Sequence, residues 1–256
     1  MPKKTFIPLG PSLSPPQAQL TISENNPEVF THLAHNLGLS PQLHFEDVFS
    51  FEPDVTSLIP RPVHALLLII PMTPTWQASR VAENLHMSEY TGYGPDEPVI
   101  WFKQTIGHAC GSIGLLHCVL NGSAAAHLQP GSTLADIRER ALPLRTMERA
   151  KVLEESEELE RAHKEAAIMG DTVPPSAEAA DKLGFHFVAF VKGADGALYE
   201  LEGGSGRKGP LKRGRIGNED LLSSKALEIG IGRLLAMDGE AGDMRFSCIA
   251  LVGERG

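Results

Sequence analysis

The stretch Phe185-His186-Phe187-Val188-Ala189-Phe190-Val191, followed by Lys192-Gly193-Ala194-Asp195-Gly196 and Ala197-Leu198-Tyr199-Glu200-Leu201, decides the class of fold. Its first segment is apolar at consecutive rather than alternate positions, which is the pattern of a strand covered on both faces. The Gly- and Asp-containing turn then returns the chain into a second strand. Val63-His64-Ala65-Leu66-Leu67-Leu68-Ile69-Ile70, bounded by Pro62 and Pro71, is another buried strand, and residues 244–252 supply a last one. Such a sheet needs helices over it. One is legible from its signals: Asn26 as cap, Pro27 at the first position, Phe30, Leu33, Ala34 and Leu37 on one face, and Gly38 at the stop. Residues 133–170 read as mostly helical, with Thr133 and Asp136 in capping-box spacing, and Asn218-Glu219-Asp220 caps a helix running to about Met237. Strands and helices intermingle around one core, with no repeat and no linker. The expectation is an α/β (α+β) chain whose residues 1–256 form a single domain.

The segments between are less regular. Thr5-Phe6-Ile7-Pro8-Leu9 suits a short edge strand, and residues 10–25, with several prolines, an irregular insert. Residues 77–98 are polar and punctuated by Gly and Pro, the pattern of a surface excursion, and 170–184 form a long loop without periodicity. Between Glu148 and Glu165 seven acidic and four basic residues mark a solvated helix face.

Composition removes several classes of function. With 42% hydrophobic and 21% charged residues, the 256-residue chain can bury a sizeable core and lacks the signature of a disordered one. Thirty-two acidic against 23 basic residues give a net charge of −9, which argues against nucleic acid and permits a basic protein partner. The longest apolar run falls far short of the roughly 20 residues of a membrane helix, and the N-terminus carries no secretory signal, so no membrane partner is expected. Three cysteines, Cys110, Cys118 and Cys248, suit a reducing compartment, with a cytoplasmic and also nuclear location expected.

The chemistry concentrates in Gln104-Thr105-Ile106-Gly107-His108-Ala109-Cys110-Gly111-Ser112-Ile113-Gly114-Leu115-Leu116-His117. A Gly-containing turn leads into Ile113, Leu116, His117 and Leu120 at helical spacing, placing Cys110 in the first turn of a helix. There the unpaired N–H groups favour a thiolate, and the Cys110 N–H can face a developing oxyanion. The competing reading is a buried core cysteine, the natural one for Cys118 and Cys248. Of the ten histidines, His186 stands out because it interrupts an apolar strand and needs a polar partner. With a five-residue loop, Val191 faces Ala197, Phe190 faces Leu198 and His186 faces Glu202, while Glu200 faces Val188. Cys110, His186 and Glu202 would thus be thiol, base and orienting acid. A core histidine satisfied by a strand-end glutamate is the bland alternative.

At these residues the chain resembles a known family. Gln104 followed by Ala109-Cys110-Gly111-Ser112-Ile113-Gly114-Leu115-Leu116-His117 resembles the active-site segment of ubiquitin C-terminal hydrolases, the UCH or C12 peptidases. Leu183-Gly184-Phe185-His186-Phe187-Val188-Ala189-Phe190 with Asp195-Gly196-Ala197-Leu198-Tyr199-Glu200-Leu201-Glu202-Gly203 is similar to that family's histidine and acid region. Asp47-Val48, Ile59-Pro60-Arg61-Pro62-Val63 and Arg245-Phe246-Ser247-Cys248-Ile249-Ala250-Leu251 extend the likeness over nearly the whole chain.

The resemblance implies a papain-like cysteine hydrolase fold, a central antiparallel sheet flanked by helices, with a knotted backbone and a crossover loop at about 167–183 arching over the active site. It implies Cys110 as nucleophile, His186 as base and then acid, Glu202 as the orienting acid, and Gln104 as side-chain donor of the oxyanion hole. Glu202 falls where the family usually has aspartate, and an extra residue before it is absorbed by the turn at Gly193-Ala194. The implied activity is a cysteine-dependent, deubiquitinating hydrolysis that removes small adducts or short peptide extensions from the C-terminal glycine of ubiquitin through a thioester. The implied partner is ubiquitin, whose basic, apolar-patched surface suits an acidic monomer, and neither metal nor organic cofactor is required. Two other readings stay open: a hydrolase for a modifier such as Nedd8, and a ubiquitin-binding pseudoenzyme impaired by Glu202. Gly203-Gly204-Ser205-Gly206-Arg207-Lys208-Gly209 lacks the spacing of a phosphate loop and reads as a basic flexible loop, and Gly230-Ile231-Gly232 follows no strand.

Overall fold

The computed structural model describes residues 4–5, 25–169, 184–204, 206–241 and 246–253. The expected strand beyond Thr5, the insert up to residue 24 and the long loop at 170–183 lie outside these. In chain order the elements are α1 (Pro27–Leu37), β1 (Leu43–Asp47), α2 (Pro53–Thr56), β2 (Val63–Pro71), α3 (Pro74–Leu85), α4 (Cys110–Val119), α5 (Thr133–Ala141), α6 (Thr146–Glu154) and α7 (Glu157–Met169). They continue with β3 (Phe185–Lys192), β4 (Ala197–Leu201), β5 (Leu211–Arg215), α8 (Ser224–Ile229), α9 (Ile231–Ala241) and β6 (Ser247–Gly253).

The strands form one six-stranded sheet in the order β1-β6-β2-β3-β4-β5, antiparallel at every pairing. The consecutive apolar residues of β2 explain its central place. Ala65, Leu67 and Ile69 enter a core shared with α1, α4 and α7, while Leu66, Leu68 and Ile70 enter a second core beneath α8 and α9. Each fully buried leucine contributes on the order of 1.5–3 kcal/mol, so this strand anchors both layers.

Helix α1 has the expected signals: Asn26 Oδ1 accepts from Glu28 N and Val29 N, and Gly38 ends the helix at φ 102°. Four expectations are corrected. The polar excursion at 77–98 begins inside α3, capped by Thr73 with Pro74 at its first turn. The reason it lacks apolar periodicity is that its inner face carries a charge, the buried Arg80 beside Trp76. The long helix of 133–170 is three helices, broken at Pro143 and Ser156, and Ser132 rather than Thr133 caps the first. Asn218-Glu219-Asp220 caps no helix: Ser223 caps α8, Gly230 separates α8 from α9, and Asp220 accepts from Val63 N and Leu222 N. Strands β1 and β5, short and partly polar, are sheet edges that the sequence pattern does not announce.

The hairpin register is the fourth correction. Lys192 belongs to β3, Gly193 N donates to Ala197 O, and the loop shrinks to Ala194-Asp195-Gly196 with Gly196 at φ 72°. Val191 therefore faces Tyr199 and Phe190 faces Glu200, two residues on from the five-residue-loop register. A shift of two keeps every side chain on its face.

Candidate active site

Helix α4 is apolar on every side and buried along most of its length, as a central helix must be. It packs so closely on β2 that a Cβ on Gly114 would lie 2.7 Å from Leu67 Cδ1. The turn before it is tight, with His108 in the left-handed region at φ 55°. This delivers Cys110 to the first position of α4, half-buried beside the core, while Cys118 and Cys248 are fully buried and burial pushes both thiols upward.

Residues 99–104 run past α4 in an extended conformation held by side chains. Asn121 Oδ1 accepts from Ile100 N and its Nδ2 donates to Ile100 O. Phe102 N donates to His117 Nε2 at 3.0 Å. Burial is the main cause that lowers the His117 pKa, to about 3, so this imidazole stays neutral and can accept. Trp101 Nε1 and Gln104 N then donate to the carbonyls of Glu202 and Gly203, at 3.0 and 2.7 Å. Gln104 is thereby tied both to α4 and to the segment that carries the acid. Its own Nε2 donates to Ile106 O at 3.2 Å, and its Oε1 is buried without a hydrogen bond.

His186 is the second residue of β3, against the ring of Trp76 with centroids 5.9 Å apart. Its Nε2 meets Glu202 Oε2 at 2.8 Å, and Cys110 is near enough to act with Glu202 on its titration. With Nε2 committed to Glu202, Nδ1 is the ring nitrogen left for Cys110. Burial alone would lower the pKa of His186. The hydrogen bonds to Cys110 and Glu202 and the charge of Glu202 outweigh it and push the value up to about 10. Burial works against Glu202 too, and there the bond to His186 and the positive charges of His186, Arg207 and Arg80 win, holding it down at about 2. Each partner thus favours the charged form of the other, imidazolium for His186 and carboxylate for Glu202.

All four sequence-derived residues thus converge, although Glu202 reaches His186 along the diagonal of the sheet rather than from directly opposite. Glu200, in contrast, lies between Arg80 and Arg213 and faces Phe190. A cleft of ≈ 680 Å³ opens over the group, lined among others by Thr5, Trp76, Val81, Gln104, His186 and Glu202. The arrangement can do nucleophilic acyl transfer: a thiol at a helix N-terminus, an imidazolium to move a proton, a carboxylate to hold it, and donors for an oxyanion.

Several residues of the site escaped the sequence reading. Trp76 and Arg80 sit on a helix whose pattern looked like loop, and His117 and Asn121 look like ordinary helix-end polar residues. Arg207, read as part of a basic flexible loop, is instead 2% exposed and lies under the cleft beside Glu202.

Comparison with known proteins gives the family and the fold. The family model for ubiquitin carboxyl-terminal hydrolases, family 1, matches residues 21–233. Ubiquitin carboxyl-terminal hydrolase 3 of Arabidopsis thaliana is 32% identical over 229 residues, covering 89% of this chain and 92% of that protein. The human ubiquitin carboxyl-terminal hydrolase isozyme L1 is 33% identical over 233 residues, covering 91% and 98%. Among solved structures, the catalytic domain of Trichinella spiralis UCH37 bound to ubiquitin vinyl methyl ester superposes with a TM-score of 0.66 at 20% identity, covering 91% of this chain and 94% of that one. That likeness is one of fold, and it agrees with the central antiparallel sheet flanked by helices that the family resemblance implies. The chain belongs to the ubiquitin carboxyl-terminal hydrolases of family 1, a family of thiol-dependent cysteine peptidases.

Proposed function

We propose that this chain releases small adducts or short peptide extensions from the C-terminal glycine of ubiquitin, with Cys110 as nucleophile, His186 as acid and base, Glu202 as orienting acid and Gln104 as oxyanion donor. The observation that carries the reading is the His186 imidazole bound to the Glu202 carboxylate at 2.8 Å in the wall of a cleft that Gln104 also lines, with Cys110 at the start of α4 acting on its titration. The Cys110 thiolate attacks the glycine carbonyl carbon, and the electron pair of the C=O bond moves onto oxygen. That oxyanion meets the Cys110 N–H at the start of α4 and the Gln104 side-chain amide, which turns to it from Ile106 O. As the C–N bond breaks, His186 Nδ1 gives its proton to the leaving amine, and Cys110 is left as a thioester. Neutral His186 then takes a proton from water, hydroxide adds to the thioester carbonyl, and the thiolate leaves. Throughout, Glu202 fixes the ring and stabilises its charge.

Ubiquitin is the proposed partner because relatives at about one-third identity over most of the chain carry that substrate in their names, and the −9 chain suits a basic protein. The test is steady-state hydrolysis of a fluorogenic ubiquitin C-terminal amide, with a Nedd8 amide in parallel. Wild type should turn over the ubiquitin substrate preferentially, and Cys110→Ala should bind ubiquitin without turnover. Tight binding with no turnover by wild type would replace the enzyme reading with a binding one.

A further inference from the structure

The carboxylate of Glu202 has two oxygens with different duties. Oε2 accepts from Gly204 N at 3.0 Å and meets His186 Nε2 at 2.8 Å. Oε1 faces away from the imidazole and lies 2.8 Å from Arg207 Nε, with Arg80 Nε farther off at 4.0 Å. Arg80 is engaged elsewhere, with Glu200 and with Glu83 at 2.8 Å, and its guanidinium stacks 4.9 Å from the Trp76 ring centre. Arg207 is therefore the guanidinium nearest the acid.

Its place is built rather than incidental. Arg207 N donates to Gly204 O at 2.8 Å, and Asn84 at the end of α3 donates its Nδ2 to Gly206 O at 2.8 Å. Lys208 is tied twice to the segment after α3, with Nζ donating to Met87 O at 3.0 Å and its carbonyl accepting from Tyr90 N at 2.7 Å. These bonds bring a guanidinium beneath the cleft and bury it. Glu202 is nearest, Glu83 lies 3.5 Å from Nη2 and Asn84 Oδ1 accepts from Nη1 at 3.4 Å. The carboxylates offset part of the desolvation cost. A glutamate also has one more rotatable bond than an aspartate, and the contacts to His186 and Gly204 N both fall on Oε2, which leaves the carboxylate free to turn about that oxygen. A contact on the opposite oxygen fixes the plane.

We propose that Arg207 is a positioning residue for the Glu202–His186 pair: its guanidinium holds the carboxylate oxygen that His186 does not use and so fixes the other oxygen on the imidazole. This rests on the reading of Cys110, His186 and Glu202 as the reacting set. The N–H bonds at Arg207 Nε and Nη2 do not line up on an acceptor, so the hold is one of charge more than of a directed hydrogen bond.

The test is a double-mutant cycle of Arg207→Gln and Glu202→Gln, read both as kcat and KM on the ubiquitin amide and as the rate of Cys110 alkylation by iodoacetamide at neutral pH. Arg207→Gln should lower kcat about tenfold with KM little changed, since a displaced acid misaligns the imidazole without touching substrate. Adding it to Glu202→Gln should cost roughly nothing further, because the group it positions is already gone. Arg207→Lys, which keeps the buried charge and guards against a folding defect, should restore most of the rate. Alkylation of Cys110 should follow the same pattern. The proposal is overturned if the two losses multiply, or if Arg207→Gln leaves both kcat and alkylation unchanged. Alkylation needs no ubiquitin, so a wild type that alkylates normally and fails on the ubiquitin amide refutes the substrate assignment while the cycle still decides the role of Arg207.

Discussion

His186 Nε2 stands 2.8 Å from Glu202 Oε2 although the sheet register stops Glu202 two residues short of a position opposite His186. The longer side chain spans that diagonal, and the Gly204 N–H meets the same oxygen at 3.0 Å. Glutamate here is fitted to its frame. Restoring the shorter acid should therefore harm this protein: Glu202→Asp is expected to lower kcat about tenfold, since the carboxylate withdraws along the diagonal. Glu202→Gln, which keeps the length and removes the charge that supports the imidazolium, should lower it about 100-fold. Steady-state kinetics on the ubiquitin amide checks both, and an Asp variant faster than wild type would show that the reach is not limiting.

Glu200 gives the contrasting case. It is buried between Arg80 and Arg213, with Arg213 Nη2 at 2.7 Å, and makes no contact with His186. Removing its charge leaves two buried guanidinium groups short of a partner. Glu200→Gln should cost about 3 kcal/mol of stability in denaturant titrations while kcat stays within a few-fold of wild type. A kinetic loss larger than that of Glu202→Gln would mean that Glu200 is the acid.

The difference between these two glutamates also shows what the sequence could and could not convey. His186 was legible because an imidazole in a strand apolar on both faces demands a partner, and Cys110 because a Gly-containing turn precedes an apolar helix. Glu200 and Glu202 share a face, so the shift of two leaves both on the side of His186. Reach separates them, since Glu202 comes within 2.8 Å of the imidazole while Glu200 lies opposite Phe190 between two arginines. Helix α3 was hidden for a physical reason: the side it buries is a charge network, and periodicity arguments detect only apolar sides. Arg207 was hidden by the same rule, since a guanidinium among glycines looks solvated until its carboxylate is in place.

The pH dependence follows from two opposite shifts. Burial would lower His186 from 6.5, but Cys110 and Glu202 raise it to about 10, so its stabilising effect is complete below 6.5 and is lost as pH climbs towards 10. Burial would raise Glu202 from 4.5, but His186, Arg207 and Arg80 lower it to about 2, so its effect is complete above 4.5 and is lost as pH falls towards 2. The stability advantage of wild type over Glu202→Gln should accordingly be greatest between 4.5 and 6.5 and shrink on either side. In kcat/KM the alkaline limb should lie well above the ordinary histidine range and move down in Glu202→Gln. An unchanged limb in that variant would separate the carboxylate from the imidazole it is drawn beside.

Gly114 tests the packing that places the nucleophile. It lies one turn beyond Cys110 on α4, and a methyl group there would stand 2.7 Å from Leu67 Cδ1 and 3.4 Å from Phe187 Cβ. Leu67 is fully buried in the central strand, so relief must come from α4 moving off the sheet rather than from the leucine turning away. Gly114→Ala would gain helix propensity of up to about 1 kcal/mol, and overpacking should outweigh it by costing about 1–3 kcal/mol. Because Cys110 rides on the same helix and His186 on the strand beneath, the shift should also part thiol from imidazole. The expected outcome is a lower melting temperature together with a kcat reduced tenfold or more, at a KM close to that of wild type. A variant that melts earlier yet keeps full kcat would show that α4 adjusts locally, and that the first turn holds Cys110 in place independently of the packing at Gly114.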